Sequence, residues 1–502
     1  MKRINRMIIT LMALTVFIMP VLAQEDGDLV SIGTYRKLHS KVLDEDRTLL
    51  INLPRGYDET KHSYPVLYIL YGGQVEGYFA DAVHIVCRLN EASRIPDMII
   101  VGVKNTDRYR DCLPINRNGE PGGADNFLKF FTEELIPFVD RSYCTKDFRI
   151  LLGPQAGAAF SLYTLMENPE LFRVNIVTNP FWIRANREYM LTKANDFFGK
   201  EGSLGNFFFI TANMSGDNEA TLEYLKKFEE VVEKGKKRDF SLIINQLVKR
   251  ESGIISSPRL REGLEIFFKD YRFPQDIQIN GLEDLKAYYQ NLSQKYGYEV
   301  DVPEFTLVRQ GDRLDERGQL EAAKIVFEYI VEKYPNDLNS YARLADLHRR
   351  WGNYELAIQY YEELLKRRRM PFMEGRLNSL KRYLKESAVY AVEKAITDSG
   401  IDAGIAKFRE LKVDKDHKLT FRENDFITLG YHFLTRGMMD AAVEVFKMNV
   451  EMNPRSANAY DSLGEAYMKS GNNEKAILYY KKVLELDPDN ENAKTMLKKL
   501  KK

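Results

Sequence analysis

Two glycines flank a polar residue in the stretch FRILLGPQAGAAF, which covers residues 148–160. The apolar run before Gly153 predicts a buried strand, and the small residues after Gly157 predict the start of a helix. A strand–turn–helix of the form G-x-S-x-G lifts a serine hydroxyl above a sheet, where it attacks an ester or another acyl group. We expect no room for a Cβ at either glycine, because the turn is tight. The serine's place is held by Gln155, whose amide is not a nucleophile.

A serine on such a turn also needs a base. In this arrangement the base follows the acid along the chain, in the order Ser, Asp or Glu, His. No histidine lies between His84 and His348 among the six of the chain, which are His39, His62, His84, His348, His417 and His432. Without a base the other hydroxyls of this region stay unactivated; they belong to Ser161, Ser215, Ser252, Ser256 and Ser257.

The expected loss of kcat without the serine and the histidine decides whether the protein is a slow esterase or has no esterase activity. Losing the serine or the histidine of a triad lowers kcat by about six powers of ten, which is roughly 8 kcal/mol of barrier. What remains is binding. Gln155 supplies both a hydrogen-bond donor and an acceptor, so it either contacts a ligand or only fills space in a decayed site.

Strands and helices alternate along residues 30–272, which predicts a mainly parallel sheet with helices on both faces. The expected strands are Arg47–Leu53, Val66–Tyr71, Met98–Val103, Arg149–Leu152, Val174–Thr178, Phe207–Thr211 and Ser241–Leu247. The expected helices are Phe79–Leu89, Phe127–Val139, Ala158–Glu167, Glu188–Phe198, Thr221–Glu233 and Pro258–Lys269.

Four long motifs in this region carry a resemblance to a known family. They read SYPVLYILYGG, IPDMIIVGVKNTDRYRDCLP, GGADNFLKFFTEELIPFVDRSY and FRILLGPQAGAAFSLYTLMENPELF. Together they resemble the putative-esterase family, the enterochelin-esterase and esterase-D-like branch of the α/β-hydrolases, over roughly Ser31 to Tyr271. The resemblance implies an α/β-hydrolase domain and a serine carboxylesterase that acts on siderophore esters, acyl sugars or thioesters.

The family's catalytic residues carry over one position at a time. The nucleophilic serine aligns with Gln155, and the histidine, in a segment of the form E-S-H, aligns with Gly253. The acid precedes a helix, where Asp217 is the first candidate and Glu219 the second. The resemblance thus implies a triad that lacks its serine and histidine and has kept only its acid.

Other family positions imply binding. Backbone donors of an oxyanion hole are implied at Ala156 and near Gly72 and Gly73, and they would hold an ester or a carboxylate without cleaving it. Trp182 lies where the family has an aromatic pocket wall, with a packed core aromatic as the alternative. A structural ion pair, rather than a set of catalysts, is expected in the family loop that holds Arg108, Arg110 and Asp111.

A second pattern, with a period of 34 residues, follows Pro303. In each unit, small residues precede an aromatic residue, and in three units a proline follows. The small residues let two helices approach closely, and the aromatic residue fills the space between neighbouring units. The pattern resembles tetratricopeptide repeats. Its positions are Gly311, Gly318, Ala323, Phe327 and Pro335, then Leu344, Gly352, Ala357 and Tyr361, then Gly430, Gly437, Ala442, Phe446 and Pro454, then Gly464, Gly471, Ala476, Tyr480 and Pro488.

The expected domain order is a signal segment at 1–23, the hydrolase domain at 30–272, a helical linker at 273–303 and an all-α repeat solenoid at 304–502. The linker contains the helix Leu282–Tyr296. The repeat phase breaks over Glu374–Asn424, where Ile401–Leu411 is half of a degenerate repeat, and Glu491–Lys502 is a polar capping helix. The concave groove is expected to bind a protein, a peptide or another copy of the chain, with candidates Asn458, Asp461 and Glu465; a purely structural role is the alternative.

The first residues predict export. Met1–Ala23 combines basic residues, an apolar stretch and a small-residue cleavage site before Gln24, which indicates a periplasmic or secreted bacterial protein; a membrane anchor is the alternative. The 73 basic and 73 acidic residues leave no net charge, so no nucleic-acid partner is expected. The cysteines form no metal pattern and are expected to be buried apolar residues; they are Cys87, Cys112 and Cys144.

Three functions fit these features. The first is a secreted esterase-like protein whose hydrolase domain binds a small acyl or ester ligand, or acts as a scaffold, while the repeats bind a partner. The second is an active carboxylic-ester hydrolase with an atypical site. The third is a repeat protein whose first domain is a stable spacer. No cofactor and no metal is implied, and esterase activity is expected to be absent or very weak.

Overall fold

The computed structural model describes residues 31–57, 63–71, 75–116, 118–178, 180, 184–213, 219–247, 257–414, 416 and 418–500. The predicted signal segment Met1–Ala23 lies outside these residues. The chain divides into two compact units, Met1–Lys269 and Asp270–Lys502. Within the described part, no helix is both long and apolar enough to cross a membrane.

The first unit is built on an eight-stranded sheet with the order β1-β2-β4-β3-β5-β6-β8-β10. Strand β2 pairs antiparallel with both β1 and β4, and the remaining pairs are parallel. Two further short strands, β7 and β9, pair separately. The strands are β1 Thr34–Ser40, β2 Glu45–Asn52, β3 Tyr64–Tyr71, β4 Ile99–Lys104, β5 Thr145–Pro154, β6 Val174–Thr178, β7 Gly202–Ser203, β8 Phe207–Asn213, β9 Lys237–Arg238 and β10 Ser241–Leu247.

The helices of this unit cover the sheet, so the central strand β3 is buried on both faces. In β3, Val66, Leu67, Tyr68 and Ile69 are fully buried although successive side chains point to opposite faces. This confirms the predicted α/β-hydrolase class. The helices are α1 Val75–Glu91, α2 Arg108–Cys112, α3 Ala124–Lys129, α4 Ile136–Ser142, α5 Gly157–Glu167, α6 Arg184–Phe198, α7 Glu219–Glu233 and α8 Ser257–Phe267.

The predicted helix Phe127–Val139 is interrupted. A π-helical turn, Phe130–Leu135, separates α3 from α4. Pro137 lies at the start of α4 and carries no backbone N–H, so the regular helical hydrogen bond is missing there. The wider turn places Phe130 and Phe131 in the core, where both pack on Phe127.

The second unit consists of helices, most of them in antiparallel pairs. The pairs are α10–α11, α12–α13, α15–α16, α17–α18 and α19–α20. The helices are α9 Leu282–Tyr296, α10 Glu304–Glu316, α11 Leu320–Lys333, α12 Leu338–Arg350, α13 Tyr354–Arg367, α14 Pro371–Glu386, α15 Ala388–Ser399, α16 Ile401–Val413, α17 Glu423–Thr435, α18 Met439–Met452, α19 Ala457–Lys469, α20 Asn473–Leu486 and α21 Glu491–Leu500.

The predicted break in the repeat phase has a structural cause. The single helix α14 follows α13, and the next pair, α15 with α16, starts only after it. The predicted half-repeat Ile401–Leu411 is α16, which packs against α15. Gly404 allows this contact, because a Cβ there would lie 2.1 Å from Cγ1 of Ile396.

Glycine–ring contacts set the spacing of the helix pairs. A Cβ on Gly311 would lie 2.7 Å from the Phe327 ring, and a Cβ on Gly430 would lie 2.4 Å from the Phe446 ring. At Gly464 the added atom would lie 3.3 Å from Tyr480. The sequence predicted these small–aromatic positions, and the structure places each ring against its glycine.

We therefore expect Gly430→Ala to lower the free energy of unfolding by about 1–3 kcal/mol, since the buried Phe446 ring must move. Gly375→Ala is the matched control: nothing lies within 4 Å of an added Cβ in that helix, and alanine there should stabilise by roughly 0.5–1 kcal/mol. Urea denaturation followed by far-ultraviolet circular dichroism measures both. Equal midpoints for the two variants would contradict the packing argument.

Candidate functional site

The turn between β5 and α5 holds its central residue in an unusual backbone conformation. Gln155 has φ of 53°, the left-handed region, which costs a residue with a side chain roughly 1–2 kcal/mol. Its N–H donates to the carbonyl of Thr178 at 3.0 Å, and its carbonyl accepts from the N–H of Ala158 at 3.1 Å. The end of β6 and the first turn of α5 thus fix position 155 from both sides.

The two glycines of the turn differ in how strongly the fold requires them. A Cβ on Gly153 would lie 2.6 Å from the carbonyl oxygen of Gly157 and 2.3 Å from Oγ of Ser161. A Cβ on Gly157 would make ordinary contacts, the nearest at 3.5 Å to Leu70. The expectation that neither position has room for a Cβ is therefore correct for Gly153 and wrong for Gly157.

Arg108 holds the side chain of Gln155. Its Nη1 donates to Oε1 of Gln155 at 2.7 Å, and its Nη2 donates to the hydroxyl of Tyr109 at 3.3 Å. A guanidinium only donates hydrogen bonds, so the amide must turn its oxygen toward Arg108. Nε2 of Gln155 is then a second donor beside the guanidinium, and the pair is suited to bind oxygen atoms of a ligand.

The short helix α2 positions Arg108. The carboxylate of Asp107 caps it by accepting from the N–H groups of Tyr109 and Arg110 at 3.0 and 3.1 Å. The guanidinium of Arg108 lies 5.0 Å from the centre of the Tyr109 ring, a cation–π contact. The parallel strands β4 and β5 flank β3, so the segments that follow them meet at one edge of the sheet, where α/β folds bind ligands.

The expected ion pair in this loop involves Arg110 and Asp111 but not Arg108. Asp111 is 1% exposed and contacts Arg47 and Arg110, each at 2.8 Å. Glu45 contacts the same two arginines at 2.5 and 2.6 Å. Burial alone would raise the pKa of Glu45, but hydrogen bonds and charge from Arg110 and Arg47 outweigh it, so the pKa lies below its ordinary value. This network ties α2 to β2.

One implied oxyanion donor lies within the described residues. Ala156 is fully buried at the N-cap position of α5 and makes no side-chain cap there. Among the turn, loop and cap hydrogen bonds of the described residues, none is donated by the backbone N–H of Ala156. Glu219, the second acid candidate, is exposed at the start of α7. The other expected site residues lie outside the described part of the chain: Gly72, Gly73, Trp182, Asp217 and Gly253.

Ser161 is unsuited to nucleophilic attack. Its side chain is fully buried, and Oγ donates to the carbonyl of Gly157 at 3.0 Å. The cysteines differ from expectation, because Cys112 is buried while Cys87 and Cys144 are only partly buried. In the residues that the structure describes, no group of three or more His, Cys, Asp or Glu side chains is placed to hold a metal ion.

The groove candidates of the second unit contact neighbouring helices. Asp461 accepts from Nδ2 of Asn492 at 2.9 Å. Glu465 accepts from the hydroxyl of Tyr431 at 2.8 Å and contacts Lys469 at 2.8 Å. Asn458 is exposed. Asp461 and Glu465 therefore link helices to one another, which sequence spacing could not reveal.

Both units resemble known protein families. Residues 40–201 match the family model described as Putative esterase, and residues 338–369 and 457–490 match tetratricopeptide repeat models. The ferri-bacillibactin esterase BesA of Bacillus subtilis (strain 168) is 30% identical over 154 residues, which are 27% of this chain and 53% of that protein. The uncharacterized protein YjcH of the same organism is 30% identical over 151 residues, 29% of this chain and 60% of that one.

The chain spans little more than half the length of these curated relatives. A solved IroE-like serine hydrolase from Shewanella oneidensis is 22% identical with a TM-score of 0.49, covering 59% of this chain and 97% of its own. The first unit is an α/β-hydrolase domain, and the second is helical. More particularly, the first contains a putative-esterase domain with BesA among its relatives, and the second contains tetratricopeptide repeats.

The left-handed backbone at position 155 should affect the stability of variants at this position. Gln155→Gly and Gln155→Ala both remove the contact with Arg108, but only alanine keeps a Cβ in the left-handed region. We expect the glycine variant to be more stable than the alanine variant by about 1 kcal/mol. Urea unfolding of the two proteins gives the difference. An alanine variant as stable as the glycine variant would show that the turn relaxes when the glutamine is replaced.

Proposed function

We propose that the first unit binds a small acyl, ester or carboxylate ligand without cleaving it, and that the repeat unit couples this binding to a protein partner. The observation that carries the proposal is the hydrogen bond from Arg108 to Gln155. It turns the centre of the turn into a pair of hydrogen-bond donors at the place where a serine esterase presents its nucleophile.

The donor set favours an oxygen-rich ligand. Arg108, Nε2 of Gln155 and the N–H of Ala156 all donate, and Arg108 adds a positive charge. A carbonyl oxygen would accept from them, and a carboxylate would also gain from the charge. Gly72, Gly73 and Trp182 are proposed to complete the pocket as further donors and an aromatic wall, as the family resemblance implies.

The same constellation argues against catalysis. Gln155 has no hydroxyl or thiol, Ser161 is buried, and no histidine follows the turn before His348. Asp217 would remain as an acid without the histidine that it orients in an intact triad. Loss of the serine and histidine is therefore proposed to leave a binding domain.

An active hydrolase with an atypical site is the second candidate. One observation favours it: BesA, 30% identical over 154 residues, is named an esterase. A substrate such as a siderophore ester, an acyl sugar or a thioester would then be cleaved by a group other than Gln155. The two candidates differ in whether any serine becomes covalently labelled.

We expect no turnover of p-nitrophenyl butyrate above background and no labelling by a fluorophosphonate, because neither an attacking oxygen nor a base is available. Absorbance of the released nitrophenolate measures turnover, and intact-mass spectrometry measures labelling. Gln155→Ser combined with Gly253→His is the repair variant, and labelling of the introduced hydroxyl would show that the scaffold is intact. Stoichiometric labelling of any serine in the unaltered protein would establish the second candidate.

Binding without cleavage has its own test. We expect isothermal titration to detect p-nitrophenyl butyrate or butyrate, and Arg108→Ala or Gln155→Ala to weaken that binding roughly tenfold or more, as loss of a charge-assisted hydrogen bond does. Arg141→Ala is the matched control, since this exposed arginine precedes β5 at the opposite end of that strand. Equal affinities in all three variants, or no heat with either compound, would contradict the proposal.

We also propose that Met1–Ala23 exports the protein to the periplasm or the exterior. N-terminal sequencing of the protein from cell fractions tests this, with Gln24 expected as the first residue of the exported form. A cytoplasmic protein that retains Met1 would contradict it.

A further inference from the structure

The second unit contains a cavity of about 970 Å³. Helices α12, α13, α14 and α17 supply its walls, so the single helix that interrupts the repeats is one side of it. A pocket of this size is large enough for several side chains of a bound segment. The position of the cavity coincides with the irregular part of the solenoid.

Arginine is the commonest charged residue that lines this cavity. Five arginines line it against a single carboxylate, Asp425, among the described residues; they are Arg349, Arg350, Arg376, Arg382 and Arg422. Four of them form ion pairs. Asp346 is shared by Arg349 at 3.3 Å and Arg376 at 2.9 Å, Arg350 contacts Asp315 at 2.5 Å, and Arg422 contacts Glu386 at 3.2 Å. Arg382 is exposed and has no carboxylate within 4.0 Å in the described part of the chain.

The surrounding sequence concentrates the same charge. Residues 366–385, KRRRMPFMEGRLNSLKRYLK, contain eight lysines and arginines and one glutamate, in a chain with no net charge. The run includes the end of α13 and most of α14. Clustered positive charge of this kind raises the local concentration of acidic partners and steers them toward the surface.

A buried polar cluster contacts three residues that line the cavity, Tyr354, Tyr383 and His432. Glu393 is 4% exposed, accepts from the hydroxyls of Tyr354 at 2.6 Å and Tyr383 at 2.7 Å, and lies 3.4 Å from Nδ1 of His432. His432 lines the cavity with a side chain 5% exposed. Nε2 of His432 has no hydrogen-bond partner in the described residues.

An exposed aromatic residue lies at the cavity wall. Phe372 is 68% exposed, and the guanidinium of Arg376 lies 5.2 Å from its ring centre. Large aromatic side chains beside arginines are the typical anchors of protein interfaces. An apolar side chain of a partner would cover this ring while neighbouring carboxylates meet the arginines.

We propose that this cavity binds an acidic segment of a partner protein, one that carries an apolar or aromatic residue among its carboxylates. This rests on the part of the proposed function that gives the repeat unit a protein partner, and it adds the partner's chemistry.

Fluorescence anisotropy with the full chain tests the proposal. The probe is a fluorescein-labelled peptide of alternating Glu and Asp with one central Phe, and the comparison peptide has Gln and Asn in their place. We expect the acidic probe to bind at least about tenfold more tightly, and its affinity to fall as salt is added. A labelled oligothymidylate is the nucleic-acid arm and should bind more weakly than the acidic peptide.

Variants locate the binding. Arg382→Ala and Phe372→Ala should each raise the Kd of the acidic probe about fivefold or more, and Arg382→Lys should keep most of the affinity. Arg455→Ala is the matched control, an exposed arginine of the same unit between α18 and α19. Circular dichroism confirms that each variant is folded.

Several results would overturn the proposal. These are equal binding of the neutral peptide, tighter binding of the oligothymidylate, or the same affinity for the Arg382→Ala and Arg455→Ala variants. Gln155→Ala should leave peptide binding unchanged, so a failure here is distinguishable from a failure of ligand binding in the first unit.

Discussion

The left-handed backbone at position 155 is the constraint on which the first unit's site depends. It is imposed by three contacts: the N–H of Gln155 on Thr178, the close approach of Gly153 to the start of α5, and the first turn of that helix. None of them involves the glutamine side chain. Arg108 then fixes what the side chain presents, because a guanidinium accepts nothing and the amide must turn its oxygen toward it.

The sequence predicted the buried parts of the first unit well. Strands β6 and β10 have the predicted limits, and β3 begins two residues before its predicted start at Val66. Strand β1 was missed because nearly all its side chains are exposed, which leaves no apolar alternation to detect. The interruption before α4 was missed although Pro137 marks it, because the apolar periodicity continues through the π-helical turn.

The site was predicted in part. Gln155 at the turn follows from local sequence alone, but its partner does not, because Arg108 is 47 residues away along the chain. Only the strand order, which places β4 and β5 on either side of β3, brings the two together. Adjacent charges at Arg108, Arg110 and Asp111 suggested one ion-pair cluster, yet the fold directs Arg110 and Asp111 to β2 and Arg108 to the turn.

Because the surrounding backbone determines the orientation of position 155, the residue there can change without changing its location. A glutamine or a serine would direct its side chain toward the same point above the sheet, and a glycine would leave that point empty. The functional group at this point therefore depends on one side chain, whereas its location is set by the strands and the helix around it. A domain of this kind could exchange the side chain that it presents at this point without refolding.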